Sequence, residues 1–319
     1  MQRQREGSPW TGLGAVFERE LADNLSSIRM RLLEFIVFIA GSAAVYSAIG
    51  ELKDTVGEDR FLFLRIFTVA REPLPSFLAF LGFLIPIIAI ALGFDAINGD
   101  FNRRTMSRIL AQPIYRDAVL FGKFLAGLAT LALFLIALWL YVMGLGILML
   151  GLPPSGEEIA RGIAFLVASV AYGGVWLAVA LLFSVLLRSP ASSALSSLSV
   201  WLLFAVFWTM IVPFLTSALV SVDPFDPRTQ LAAIEVALAL ERLSPNTLFG
   251  ETTLALLNPS TRALGPLLMS QLHGAIVGAP LPPMQSLLLI WPQMTGLIAG
   301  LVVLFTLAYV AFQRQEVRA

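Results

Sequence analysis

The residue types from which reactive sites are built are nearly missing from this sequence. It has no cysteine, which excludes a thiolate nucleophile, a thiolate metal site and any disulfide. Its single histidine, His273, has no second imidazole with which to hold a metal and argues against a Ser-His-Asp triad. Gly122-Lys123 is followed by Phe124 and lacks the strand that a phosphate-binding loop requires. No HExxH, GxSxG or trustworthy carboxylate pair occurs. The chemistry left is ionic recognition. It is concentrated in one stretch, Asn98–Lys123, which carries Asp100, Arg103, Arg104, Arg108, Arg116, Asp117 and Lys123 between two long apolar segments.

Asp100 or Asn102 is an acceptable N-cap for a short helix running to about Ala111, before Pro113. On it Met106, Ile109 and Leu110 share a face by their i, i+3, i+4 spacing, while Arg103, Arg104 and Arg108 point elsewhere. An apolar knob ringed by arginines suits a groove on a soluble partner, with the guanidinium groups bonded to carboxylates. The same pattern also fits an ordinary basic inner loop that needs no partner.

The elements that position this stretch are membrane spans. Hydrophobic residues make up 58% of the 319 and charged residues 13%, with mean hydropathy +0.84. Soluble domains carry about 25% charge, so this is an integral membrane protein. Net charge is zero, so no bulk electrostatic case for nucleic acid exists. A spanning helix needs roughly 20 apolar residues. Six segments qualify: 32–50, 76–97, 119–150, 159–187, 191–220 and 286–312. Before them, residues 12–28 read as an amphipathic helix lying in the interface. The N-terminus lacks the apolar core of a signal peptide and should be retained.

With the N-terminus inside, the inner segments hold thirteen of the 21 Lys and Arg, so both termini should be cytoplasmic and 98–118 an inner loop. The outer loop, 221–285, opens with turn chemistry at Asp223–Pro227. Helices follow at Thr229–Leu243, at Asn246–Leu257 after the Ser244-Pro245 cap, and from Asn258-Pro259-Ser260 to about His273. Pro86 and Pro292 should kink their spans. Trp10, Trp201 and Trp291 fit interfacial anchoring. Glu34, one turn from Arg31, and Asp95 are the acids nearest the membrane interior; intramembrane acids are functional candidates, and interfacial pairing is the simpler role.

The order of Asp100, Thr105, Pro113, Arg116, Gly122 and Lys123 resembles the type-2 ABC exporter permease family. So do the six-span layout with its amphipathic first helix, the segments Leu186–Leu202 and Ser244–Ser260, and the ending Phe312–Ala319. The likeness covers nearly the whole chain and is nearest to permeases associated with multi-copper-enzyme maturation. Arg104 departs from it, standing where the family usually has glycine. The resemblance implies an all-α six-span protein that pairs with a second permease subunit, as a homodimer or heterodimer. A separate ATP-binding subunit, holding ATP and Mg, would dock on the 98–118 loop; the permease itself would bind no cofactor and no metal and would not be an enzyme. The docking residues would be Asp100, Asn102, Arg103, Arg104, Thr105, Met106, Arg108, Ile109, Leu110, Pro113 and Arg116. With so little charge in the spans, a hydrophobic or amphipathic cargo is expected. A non-transporting membrane scaffold, and an ion-coupled transporter using Glu34 or Asp95, are the other readings.

Overall fold

The computed structural model describes residues 10–52, 61–69, 76–106, 112, 114–223, 225–261, 264 and 280–315. Among these there are helices, turns and bends, and no strand. The chain starts with α1 (Leu13–Ser26), then α2 (Ile28–Leu52). Ser27 separates them: its hydroxyl donates to Asn24 O at 2.9 Å and accepts from Met30 N at 3.1 Å, ending one helix and capping the next. A short α3 (Leu62–Thr68) precedes α4 (Phe77–Gly93), whose cap Ser76 accepts from Ala79 N. Then come α5 (Asn98–Asn102), α6 (Arg116–Leu150) and α7 (Gly156–Leu186). The start of α7 is fixed by a capping box between Ser155 and Glu158.

Span five is not one regular helix. It consists of α8 (Pro190–Leu202), a π-helical turn at Leu203–Phe207, and α9 (Trp208–Leu219) containing Pro213. Two further helices follow, α10 (Pro227–Glu241) and α11 (Pro245–Leu257), and then the long α12 (Pro283–Arg314). The third outer helix expected up to His273 lies outside the described residues.

Six helices are long and apolar enough to cross a membrane. Of the apolar window in α7, 72% is buried, against 11% for α8–α9. So α7 is the axis of the bundle, with α4, α6, α11 and α12 packed around it, while α8–α9 faces mostly outward. Pro86 removes one N–H from α4 and leaves the Gly82 carbonyl without its helical donor. The Tyr172 hydroxyl of α7 supplies one, 3.0 Å away. Of the tryptophans expected at interfaces, Trp10 and Trp291 are exposed, but Trp201 is buried, edge-on to Phe83 with centroids 4.8 Å apart. Its side chain meets an aromatic neighbour from α4 that the local sequence does not announce.

Candidate functional site

The loop between α4 and α6 is built by a helix stop. The short helix expected to begin at Asp100 or Asn102 instead starts at Asn98. Its first donors, Ile97 N and Asn98 N, bond the Ser184 hydroxyl of α7 at 2.9 and 3.3 Å, so no local cap is required. It ends after five residues, because Arg104 adopts a left-handed conformation, φ 56°. Thr105 N then bonds Asp100 O at 2.9 Å, and Arg104 N bonds Phe101 O at 3.1 Å. These are the 6→1 and 5→2 bonds of a Schellman stop, in which the left-handed position favours glycine. The departure noted in the sequence thus falls on a residue with positive φ, the one such among the described loop residues, where a side chain costs about 1 kcal/mol. The Thr105 hydroxyl adds a 2.8 Å bond to Asp100 Oδ1, closing the turn.

The reversal carries the next residue inward. Met106, expected with Ile109 and Leu110 on an exposed apolar face, is 1% exposed and belongs to the core. Asn102, Arg103 and Arg104 are exposed. Arg108, Ile109, Leu110 and Pro113 lie outside the described residues.

Asp100 also reaches Lys123. The lysine ammonium is 2.8 Å from Asp100 Oδ2 and 2.6 Å from Glu20 Oε1, with 5% of its side chain exposed. One buried cation thereby joins the loop, α6 and the amphipathic α1. The neighbouring Gly122 makes the close approach possible, since a Cβ there would lie 2.7 Å from Val16 Cγ1. Asn24 adds a 3.4 Å bond to Thr130. Helix α1 is therefore seated on the side of α6, not merely resting beside the bundle.

The far end of the loop grips the end of α12. Arg116 donates to Phe312 O at 2.8 Å and Gln315 O at 2.9 Å, and its guanidinium lies 5.0 Å from the Phe312 ring centroid. Asp117 accepts from Tyr309 at 2.9 Å and from Gln313. On the other side, Asn98 and Asn102 donate to Leu187 O and Arg188 O at 3.1 and 3.0 Å. Between α5 and that turn lies a cleft of about 660 Å³, lined in part by Phe101, Arg188 and Gln315. So Asp100, Thr105, Arg116, Gly122 and Lys123, scattered over 24 positions in sequence, all knit one platform, expected on the inner side, out of α1, α5, α6, the turn after α7, and α12.

The two acids singled out earlier fare differently. Asp95 pairs with Arg29 at 3.0 Å, and Arg29 stacks over Phe94. Arg31 donates to Ser26 O at 2.6 Å; Glu34 is partly exposed. One polar centre escaped sequence reasoning. Arg161, 1% exposed, bonds Glu157, Leu256 O, Ser286 Oγ and Leu281 O, tying α7 to α11 and α12. Only the i, i+4 spacing of Glu157 and Arg161 hinted at it. Among the described residues no group of three His, Cys, Asp or Glu could hold a metal.

Comparison with known proteins places this architecture. Residues 14–317 match the family model described as ABC-2 family transporter protein. A probable ABC transporter permease protein NosY from Stutzerimonas stutzeri is 28% identical over 255 residues, covering 78% of this chain and 82% of the relative. The corresponding protein of Pseudomonas aeruginosa PAO1 is 29% identical over 150 residues, 45% of this chain and 52% of its own length.

Proposed function

The chain belongs to the ABC-2 family of transporter proteins, as a multi-pass membrane permease, and we propose that a separate ATP-binding subunit drives it through the inner platform. In this reading both termini are cytoplasmic, two permease subunits pair, and two ATP-binding subunits carry ATP and Mg beneath them. The loop 98–118 receives the movement of those subunits. The observation that carries the proposal is the wiring of the platform: a force on Asn102–Arg104 meets Lys123 and α1 through Asp100, α7 through Asn98, and α12 through Arg116. An ordinary basic loop has no need of such ties. The exposed Arg103 offers a bidentate donor to a carboxylate-bearing surface, and Arg104 adds positive charge beside it.

The cargo we propose is hydrophobic or amphipathic and moves outward. Supporting this, the space between α4, α6 and α7 is filled by apolar and aromatic side chains, among them Ile85, Leu131, Phe134 and Trp176. A hydrated pore through one subunit has no room there, so a path runs along its margin, where lipid-like molecules travel.

The test is co-expression with the cognate ATP-binding subunit, followed by purification and ATPase assay in lipid. The double variant Arg104→Glu with Arg108→Glu should lose the permease-stimulated ATPase activity while keeping the thermal stability of the isolated permease. Unchanged stimulation together with unchanged assembly overturns the reading.

A further inference from the structure

A second cavity lies far from the inner platform, between α4, the π-turn that follows α8, and α11. Its volume is about 380 Å³, within the range of about 300–1,000 Å³ seen for small-molecule sites. Ser76, at the start of α4, marks one end; Asn246, on α11, lies beside Gly82 at the other, with Phe83 and Trp201.

Three features make this space a site instead of a packing fault. First, two glycines hold it open. A Cβ on Gly250 would meet nothing within 4 Å, and one on Gly82 would meet only Phe249 Cε1, at 3.9 Å. Second, its polar groups are fixed. The Tyr172 hydroxyl lies 3.0 Å from Gly82 O and 2.8 Å from Asn246 Oδ1, and the Tyr172 ring stacks on Phe249 at 4.3 Å and 6°. A hydroxyl has one hydrogen, so it donates to one of these oxygens only. Whichever way the Asn246 amide is turned, one polar end is engaged with Tyr172 and the other is left to the cavity. Third, the wall formed by α8 carries two irregularities. The Trp201 indole N–H is buried without an acceptor, and the helix widens into the π-turn two residues later. Such turns occur mostly where a helix is shaped for function.

Among the described residues, no charged side chain lines the cavity. We propose that it binds an uncharged amphipath, with a neutral hydrogen-bonding head at Asn246 and the Trp201 N–H and an acyl or flat apolar body along Leu78, Ala79 and Phe249. The site is defined in this chain alone; only the identification of its occupant as cargo rests on the permease reading. The same chemistry is offered by a transported molecule and by a resident neutral lipid.

The experiment uses the full-length chain in nanodiscs with a diazirine-bearing diacylglycerol as the probe, and peptide mapping of the cross-links. Labelling should concentrate on 76–83, 201–205 and 246–253 and be competed by unlabelled diacylglycerol, but not by hexadecane. Gly250→Leu adds a side chain at a lining position where a Cβ would meet nothing within 4 Å, and should cut this labelling about tenfold with the fold intact. Trp201→Phe keeps a ring and loses the donor, and should cut it several-fold. Labelling spread evenly over the lipid-facing helices, or indifferent to Gly250→Leu, overturns the proposal. In the complex with the ATP-binding subunit, ATP-driven loss of bound probe identifies cargo and retention identifies a resident lipid; both support the site. Because cross-linking needs no ATPase, it stands or falls separately from the loop variants.

Discussion

Replacing Lys123 with methionine isolates what the inner platform contributes. Methionine keeps most of the apolar stem and removes only the ammonium that Asp100 and Glu20 share at 2.8 and 2.6 Å. Removing one partner of a buried ion pair costs about 3–5 kcal/mol, because the remaining charge stays buried. Here two carboxylates remain, facing one another, with 16% and 21% of their side chains exposed. That partial access to water favours the lower end, about 3 kcal/mol, or roughly a 150-fold shift in the equilibrium for undocking α1. Amide hydrogen exchange reads such local opening directly. Amides of α1 should exchange about a hundredfold faster in Lys123→Met, while those in the middle of α7 stay unchanged. The triple variant Lys123→Met, Glu20→Gln, Asp100→Asn leaves no orphaned charge and should recover most of the protection. Two results refute the reasoning: α1 exchange within twofold of the parent in the single variant, or a triple variant as labile as the single.

Three further outcomes follow from the geometry. Arg104→Gly relieves the left-handed backbone and should raise the unfolding free energy of the permease by about 1 kcal/mol in denaturant titration, even as it weakens recruitment of the ATP-binding subunit in pull-downs. Gly122→Ala drives a methyl into Val16 and should loosen α1 by about 1–3 kcal/mol, read by the same exchange experiment; Val16→Ala in the same chain should restore it. Arg161→Met takes the guanidinium donor from the buried Leu256 carbonyl and the part-buried Leu281 carbonyl and should destabilise by about 3 kcal/mol in thermal unfolding. Arg161→Lys should rescue little, since a single ammonium cannot reach acceptors spread over the guanidinium fork.

The all-helical six-span class was legible because hydropathy over 20 residues is a property of the segment itself. So was the anomaly at Arg104, since a side chain replacing a habitual glycine flags the backbone before any coordinate is known. What escaped the sequence depends on partners distant along the chain. Lys123 looks like a span-end cation until Glu20, 103 positions away, is seen to meet it. Met106 has helical spacing with Ile109 and Leu110, but spacing cannot tell that a Schellman stop two residues earlier turns it inward. Interfacial pairing is the simpler expectation for Asp95, but the sequence does not name its partner, Arg29, which lies 66 positions earlier on another helix. Trp201 has the composition of an anchor, and only Phe83 on α4 makes it a wall.

The same ties decide which parts of the bundle can yield. Helices α4 and α7 are joined at the inner end by Ser184, at mid-length by the Tyr172–Gly82 bond, and between them by Gly93, where a Cβ would lie 2.9 Å from that of Ala180. Helix α12 is held to α7 by Arg161 through Ser286 and to α6 by Arg116 and Asp117. These ties make α4, α6, α7 and α12 one packed unit. Span five has no comparable set of ties: it is the least buried of the six, and it is interrupted by the π-turn at Leu203–Phe207 and by Pro213. On the permease reading, the least buried and most interrupted span is the one that walls this cavity, so a displacement begun at Asn98–Arg104 would reach the cavity through it.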